Sequence, residues 1–395
     1  MTARSLADLV APDGVGRFFE AVQGRTHLRF PGERGRFADL LPWSEVNRVL
    51  RQHRLEFPRL RLARDGEVVP AHVYSELVDT RRAGQVPRVL PGKFAEQMRG
   101  GATLVLDSVQ ELVGAVGDLA VGLEHELRER VQVNAYAGWG VTHGFDVHWD
   151  DHDAIVVQVS GRKRWRIHGF TRVAPMVRDV ELPPRPEGEP LDEFVLEAGE
   201  VLYLPRGCWH DVSAVGEESL HLTIGVNRAT GVDLVAWLAD QLRGDEAFRG
   251  DLPRFGTAAE QAEHAAQLRA GLLERLDDGV VARFLADRDA QAPAVEHVGL
   301  PWTATSAMIP EDDGAEVLLL APRAVLSREG DAVVLAAVGK RLVFAGAAEP
   351  VLAALLGGRA RTVTSLAEAG GPALDRVTVR ALLGELAAQG LLSPK

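Results

Sequence analysis

The chain has 395 residues, a formal net charge of −12 and one cysteine, Cys208. This length favours two or three domains, and the 46% hydrophobic content allows a large core. The negative charge argues against nonspecific nucleic-acid binding, and a lone cysteine excludes an intrachain disulfide. We expect a cytoplasmic protein without membrane association, because neither a signal-peptide pattern at the N-terminus nor an apolar run of about 20 residues is present.

The first 130 residues predict a mixture of helices and strands. The segment SEVNRVLRQH has apolar residues at helical spacing, and RLRLARDGEVVPAHVY alternates around Asp65-Gly66, which indicates a hairpin. The segment SVQELVGAVGDLAVGLEHEL predicts an amphipathic helix of the core type. A strand follows in VQVNAY, where Val131, Val133 and Ala135 share one face and Gln132, Asn134 and Tyr136 share the other.

Beyond residue 229 the pattern becomes helical and then mixed. Thr230 and Asp233 resemble a capping box, and leucines follow at four-residue steps (Leu234, Leu238, Leu242; Leu268, Leu272, Leu276). Val281, Phe284 and Leu285 indicate a further helix. Residues 298–395 combine short strands around Glu329-Gly330 and Gly339-Lys340 with two helices, which predicts a small winged-helix-like domain. The proline-rich segment 182–193 is expected to be an exposed loop.

A group of potential metal ligands stands out before the centre of the chain. His148 and Asp150 are two residues apart, so on a strand both side chains point the same way. His210 follows a Pro-x-Gly turn and supplies a third candidate. Two histidines and one carboxylate on one face are typical of non-haem Fe(II) oxygenases. Asp146 and His152 share the same strand parity, so periodicity leaves the pair Asp150/His152 open, as well as a purely solvent-facing polar edge.

Lys163 is the second candidate functional residue. In the strand RKRWRI it shares a face with Trp165 and Ile167, so it points inward if the apolar side faces the core. A buried ammonium without an anion is costly. The anion could be a protein carboxylate in a structural salt bridge or the carboxylate of a bound 2-oxoacid that also chelates a metal.

These motifs together carry a family resemblance. The segments NAYAGWGVTHGFDVHWDDHDAIVVQVSGRKRWRI and GEVLYLPRGCWHDV resemble the JmjC-domain proteins of the ribosomal oxygenase group, which belong to the cupin superfamily. The family pattern H-x-D, G-x-K-x-W and P-x-G-x-x-H is present throughout. The resemblance implies an α+β fold: a double-stranded β-helix (jelly-roll, cupin) JmjC domain in 1–229, a helical dimerisation module in 230–297 and the winged-helix-like domain in 298–395.

The resemblance also assigns residues and chemistry. It implies that His148, Asp150 and His210 bind Fe(II), that Lys163 binds the far carboxylate of the cosubstrate 2-oxoglutarate, and that Asn134 helps to hold it. Thr223 is expected in the same cavity, and the polar face of Gln132, Asn134 and Tyr136 then points into the barrel. We give His143, His152, His168 and His221 ordinary structural roles and treat Cys208 as a small turn residue.

The expected activity is a 2-oxoglutarate-dependent dioxygenase that hydroxylates an amino-acid side chain of a protein or peptide. A ribosomal protein is the expected substrate, and an acidic enzyme suits such a basic partner. The family implies a homodimer, and we expect no direct nucleic-acid binding because the last helix carries only Arg376 and Arg380 as cations. The alternatives are an oxygenase of free amino acids or natural-product peptides, and a noncatalytic metal-binding cupin.

Overall fold

The computed structural model of the chain describes residues 5–82, 84–140, 144–177, 181–306 and 308–395. The chain divides into two compact units, residues 1–228 and residues 229–395. Among the described residues, none of the helices combines the length and the apolar character that crossing a membrane requires.

The first unit contains five helices and most of the strands found in the described residues. The helices are α1 (Leu6–Val10), α2 (Val15–Gly24), α3 (Trp43–Gln52), α4 (Pro91–Arg99) and α5 (Gly114–Leu127). The strands are β1 (Leu28–Phe30), β2 (Leu60–Arg64), β3 (Glu67–Val69), β4 (Ser75–Thr80), β5 (Gly84–Val89), β6 (Thr103–Leu106), β7 (Arg130–Gly138), β8 (Asp153–Ser160), β9 (Arg162–Gly169), β10 (Asp192–Glu197), β11 (Val201–Leu204), β12 (Trp209–Ala214) and β13 (Ser219–Asn227).

Two sheets of the first unit form the framework of the site. The larger has the order β1-β11-β8-β13-β7-β6-β2-β3, and the smaller has the order β10-β9-β12. Strand β8 is buried on both faces, because Ile155 and Val157 pack in the core with the N-terminal helices while Ala154 and Val156 pack toward the smaller sheet. The space between the two sheets is therefore the interior of a barrel-like sandwich.

The turn between β8 and β9 sets the direction of the smaller sheet. Gly161 has a φ of +64°, and a Cβ at this position would lie 1.8 Å from the carbonyl oxygen of Glu218. Only glycine fits both the conformation and the space. The chain therefore reverses at Gly161, and β9 places Lys163, Trp165 and Ile167 on its buried face, as predicted.

Most predicted elements of the first unit are confirmed. The hairpin turns at Asp65 and Gly66, which both have positive φ, between β2 and β3. Helix α3 buries Val46 and Val49. The predicted core helix begins only at Gly114, so Leu112 lies before α5 rather than within it. The exposed loop predicted for 182–193 is two residues shorter, because residues 182–191 are mainly exposed loop and Asp192 and Glu193 belong to β10.

The second unit contains helices and two small sheets. Its helices are α6 (Gly231–Leu242), α7 (Glu246–Arg249), α8 (Ala258–Arg275), α9 (Val280–Ala290), α10 (Glu349–Leu355), α11 (Val363–Gly370) and α12 (Arg376–Ala388). Its strands are β14 (Glu316–Leu319), β15 (Val325–Glu329), β16 (Ala332–Ala337), β17 (Lys340–Ala345), β18 (Arg361–Thr362) and β19 (Leu392–Pro394), in the orders β18-β14-β19 and β15-β16-β17.

The capping box of the second unit is confirmed, since the Thr230 side chain accepts from the Asp233 amide and Asp233 bonds back to Thr230. The leucine stripe is confirmed except at its end, because α8 stops at Arg275 and leaves Leu276 outside the helix. Helix α10 was not predicted; its short apolar run packs into the core of this unit, and tertiary burial rather than periodicity determines it. The boundaries of the three predicted domains remain predictions.

Candidate metal and cosubstrate site

Backbone hydrogen bonds join the two distant segments that carry the metal-ligand candidates. The His148 amide donates to the His210 carbonyl at 3.0 Å, and the His210 amide donates to the His148 carbonyl at 2.8 Å. The Gly207 amide donates to the Asp150 carbonyl at 3.0 Å. Gly207 has a φ of +84°, and a Cβ there would lie 2.3 Å from Pro175 Cδ, so the turn before His210 requires glycine.

The side chains of His148, Asp150 and His210 converge. One potential ligand atom from each lies within 4.8 Å of those of the other two, and His210 Nε2 lies 3.8 Å from Asp150 Oδ2. His148 Nδ1 donates to the Asp146 carbonyl at 2.8 Å, and His210 Nδ1 donates to the Cys208 carbonyl at 3.0 Å. These bonds leave both Nε2 atoms as acceptors that face the cluster, which is the usual arrangement of metal-binding histidines.

The electrostatics of the cluster favour the ligand forms of these groups. Burial, together with the neighbouring His148, lowers the pKa of His210 to about 4. Burial alone would raise the pKa of Asp150, but the nearby imidazoles of His210, His148 and His152 outweigh it and lower the pKa. A neutral imidazole beside an ionised carboxylate is what a divalent cation needs.

The rival candidates do not belong to the converging set of ligand atoms. Asp146 is mostly exposed and pairs with Arg185 at 2.6 Å. The His152 ring packs against Gly225, and its Nδ1 lies 3.2 Å from the Asp153 carbonyl. The geometry therefore favours His148 and Asp150 over Asp150 and His152 as the pair of ligand candidates, a choice that periodicity left open. His168 bonds to Asp211, and His143 lies outside the described residues.

A cavity of about 320 Å³ opens from the three ligands into the barrel. Asn134 and Thr223 both line it and lie directly opposite each other on β7 and β13. The polar face of β7 points into this cavity rather than to solvent, as expected. The cavity is lined by Arg61, Thr103, Gln132, Asn134, Tyr136, Gly144, Phe145, His148, Asp150, His152, Ala154, Val156, Lys163, Trp165, Leu204, His210, Val212, Ala214, His221, Thr223, Gly225 and Asn227.

Lys163 lines the same cavity and is only 5% exposed. Burial lowers the pKa of its ammonium group to about 7. Within the ranges that the structure describes, Lys163 has neither a hydrogen-bond nor an ion-pair partner, so no described protein carboxylate neutralises it. A buried cation in this state is a binding group for an anion that enters the cavity.

Sequence reasoning gave His221 an ordinary role, whereas the structure places it in the cavity wall. Its ring stacks on Tyr136 with 4.9 Å between centroids. The sequence offered one signal for this placement. His221 and Thr223 are two residues apart, so their side chains lie on the same face of β13. Cys208 matches its expected structural role: it is buried, and burial raises the pKa of its thiol to about 11, so it is not a nucleophile.

Comparison with known proteins identifies the central part of the chain. A family model described as JmjC domain matches residues 121–234. This segment of the chain is a JmjC domain. The matched segment contains β7 to β13 and all three ligand candidates.

The chain is similar to curated proteins over about half of its length. Bifunctional lysine-specific demethylase and histidyl-hydroxylase NO66 of Drosophila persimilis is 28% identical over 235 residues, which cover 56% of this chain and 31% of that protein. Ribosomal oxygenase 1 of Gallus gallus is 30% identical over 221 residues, which cover 55% of this chain and 35% of that protein. The chain thus matches only about a third of the length of these relatives.

Solved structures extend the likeness in fold to nearly the whole chain. YcfD, a ribosomal oxygenase of Escherichia coli, aligns with a TM-score of 0.61 and 20% identity over 97% of this chain and 98% of that one. Its complex with cobalt and 2-oxoglutarate aligns with a TM-score of 0.58 and 18% identity over 96% and 98%. The predicted cupin-type fold with mixed α and β content is therefore confirmed.

Proposed function

We propose that this chain is an Fe(II)- and 2-oxoglutarate-dependent oxygenase that hydroxylates an amino-acid side chain of a protein, most simply a ribosomal protein. One observation carries the proposal: the cavity that contains His148, Asp150 and His210 also contains the buried ammonium of Lys163. A metal at one end and a cation at the other match a 2-oxoacid with a second carboxylate. YcfD has been solved with cobalt and 2-oxoglutarate, and the curated relatives are ribosomal oxygenases and histidyl-hydroxylases.

The residues present fit an iron ion. Two imidazole nitrogens and one carboxylate on one face are the donor set of non-haem Fe(II) oxygenases, and they leave other coordination positions open. His148, Asp150 and His210 would hold the ion, whose chemistry when bound is the activation of dioxygen with the cosubstrate. The carbonyls that accept from both Nδ1 atoms fix the tautomer of the imidazoles, so that both Nε2 atoms are available as ligands to the metal.

Residues of the cavity wall would bind and orient the cosubstrate. Lys163 would bind the far carboxylate of 2-oxoglutarate and so orient the 2-oxo end toward the three ligands. Asn134 and Thr223 would contact the cosubstrate between these ends. The Asn134 Oδ1 accepts from the Ser108 amide at 3.1 Å, so the donor of this side chain is its NH₂ group, which also hydrogen-bonds Tyr136. The apolar part of the cavity wall limits the water in the barrel; it includes Val156, Leu204 and Trp165.

A turnover assay tests the proposal. Succinate release with added Fe(II) and 2-oxoglutarate is measured against a panel of ribosomal proteins and, in parallel, free amino acids and small peptides. We expect succinate release coupled to a mass increase of one oxygen on a protein substrate and its loss in Asp150→Ala. Turnover with free amino acids alone would favour a small-molecule oxygenase, and metal binding without 2-oxoglutarate binding would indicate a noncatalytic cupin.

We also infer that the second unit mediates self-association, with 230–297 as the dimerisation module. Helix α8 has no buried residue, and Val232, Val235 and Leu273 are exposed apolar side chains in this region. Such a set of apolar side chains is typical of an interface. Light scattering of the purified chain should give twice the monomer mass. A monomeric mass at micromolar concentration would contradict this proposal.

The winged-helix-like domain in 298–395 is proposed to be structural or to contact the substrate, without binding nucleic acid directly. Arg376 and Arg380 of α12 both bind Asp313, at 3.2 and 2.6 Å, so a described carboxylate already neutralises them. Few cations then remain on this helix for phosphates. We infer a cytoplasmic location from the single cysteine, whose thiol is buried and unpaired.

A further inference from the structure

Three polar groups are buried in the cavity without partners. Lys163, Trp165 and His221 are 5%, 2% and 4% exposed and line the same cavity. In the part of the chain that the structure describes, Trp165 Nε1 and His221 Nδ1 have no hydrogen-bond partner. A buried polar atom without a partner costs about 1–3 kcal/mol. Such atoms together in one cavity indicate a ligand that satisfies them.

The ring of His221 is held in place by aromatic neighbours. It is stacked on Tyr136 with an interplanar angle of 11°, and the edge of Trp165 lies against it with 6.0 Å between centroids. Burial and the positive charge of Lys163 lower the pKa of His221 well below its ordinary value, so the ring is neutral and lies within electrostatic reach of Lys163. A neutral imidazole carries one N–H and can place it on Nδ1.

Strand register places His221 and Lys163 at the same depth of the barrel. Lys163 lies opposite Ala214, four residues along β12 from His210, and four residues of strand span about 13 Å. His221 lies four residues along β13 from Gly225, which packs against His152 beside the metal ligands. Both side chains therefore start at the end of the cavity away from the ligands.

We propose that His221 is the second anchor of the far carboxylate of 2-oxoglutarate, donating its Nδ1–H to one carboxylate oxygen while the Lys163 ammonium binds the carboxylate from β9. This assignment rests on the proposed function. Trp165 also stacks on His210, with 5.7 Å between centroids, so its substitution would disturb a metal ligand. His221 is the residue at which the anchor can be tested separately.

The test compares ligand affinities of His221 variants loaded with Mn(II). The ligands are 2-oxoglutarate and oxalate, because oxalate offers the metal-chelating end without the far carboxylate. We expect His221→Leu to weaken 2-oxoglutarate binding by about 10–100-fold, the value of one hydrogen bond to a charged group, and to leave oxalate affinity unchanged. His221→Asn, which keeps an N–H near the Nδ1 position, should recover most of the loss.

His264 supplies a matched control. It lies on α8, and its Nε2 is also buried without a partner among the described residues, but it belongs to the second unit. His264→Leu should leave both affinities unchanged. Equal loss of 2-oxoglutarate and oxalate in His221→Leu, or unchanged 2-oxoglutarate affinity, would overturn the inference. A parent protein that binds Mn(II) but no 2-oxoglutarate would instead contradict the proposed function.

Discussion

Replacing Lys163 with methionine should stabilise the protein while it removes cosubstrate binding. The ammonium is 5% exposed and has no described partner, so in the ligand-free protein it contributes only the cost of its burial. Methionine has a similar length, fills the same space and needs no hydrogen bond. Lys163→Met should therefore be more stable than the parent near neutral pH and should lose affinity for 2-oxoglutarate.

The size of the effect follows from the pKa of Lys163. Its value of about 7 in the folded chain is far below the ordinary 10.5. Between these two values the unfolded chain binds more protons than the folded chain, so the free energy of unfolding of the parent rises with pH. The penalty is complete below pH 7 and approaches about 5 kcal/mol as an upper limit, and roughly 2 kcal/mol of it should disappear between pH 7 and pH 9.

Urea unfolding of the parent and Lys163→Met at pH 7, 8 and 9 measures this prediction. The stability difference should be largest at pH 7 and should shrink as the pH rises. Arg164→Met is the control, because Arg164 lies on the opposite face of β9 and pairs with Glu193 at 2.8 Å on the surface. An exposed pair of this kind contributes about 0–1 kcal/mol. A destabilised Lys163→Met, or a difference independent of pH, would refute the reasoning.

Two substitutions and one alkylation experiment test other parts of the first unit. Asp150→Ala should weaken Co(II) binding more than about 100-fold, because even the loss of an outer hydrogen-bond partner costs about 10–100-fold; titration calorimetry measures this, and unchanged affinity would remove Asp150 from the metal site. Gly161→Ala should lower the free energy of unfolding by about 1–3 kcal/mol or more, because it adds a Cβ against the Glu218 carbonyl at a position of positive φ. An unchanged melting temperature would contradict this steric argument. Cys208 should resist iodoacetamide at pH 8, because burial raises its pKa to about 11, and rapid alkylation of the native chain would show otherwise.

The sequence predicts the barrel strands well because burial there is periodic. The alternation of β9 places Lys163 on the same face as Trp165 and Ile167, so its inward direction follows once the apolar face is buried. The alternation of β7 groups Asn134 with Gln132 and Tyr136, but the family resemblance was needed to predict that this polar face points inward. The choice of His148 over His152 could not be deduced in this way. Both share a parity, so the family resemblance selected His148, and the structure pairs the backbone of His148 with that of His210.

Elements without their own periodicity were harder to predict. The hairpin of β4 (Ser75–Thr80) and β5 (Gly84–Val89) and the helix α10 are short, and their boundaries depend on tertiary contacts. His221 was missed for a different reason. Its spacing along the chain is ordinary, and its importance arises from two other strands, β7 and β9, which bring Tyr136, Trp165 and Lys163 around it.

The pairing of His148 with His210 has a consequence for folding. Two of the three donors come from one short stretch, whereas the third comes from a strand far along the chain, so a disordered chain does not present all three at once. A divalent ion that binds only the folded chain should therefore raise the free energy of unfolding. At a free ion concentration of 100 times the dissociation constant, the increase should be about 2.7 kcal/mol. Supply of the metal would thus affect how long the protein survives as well as what it catalyses.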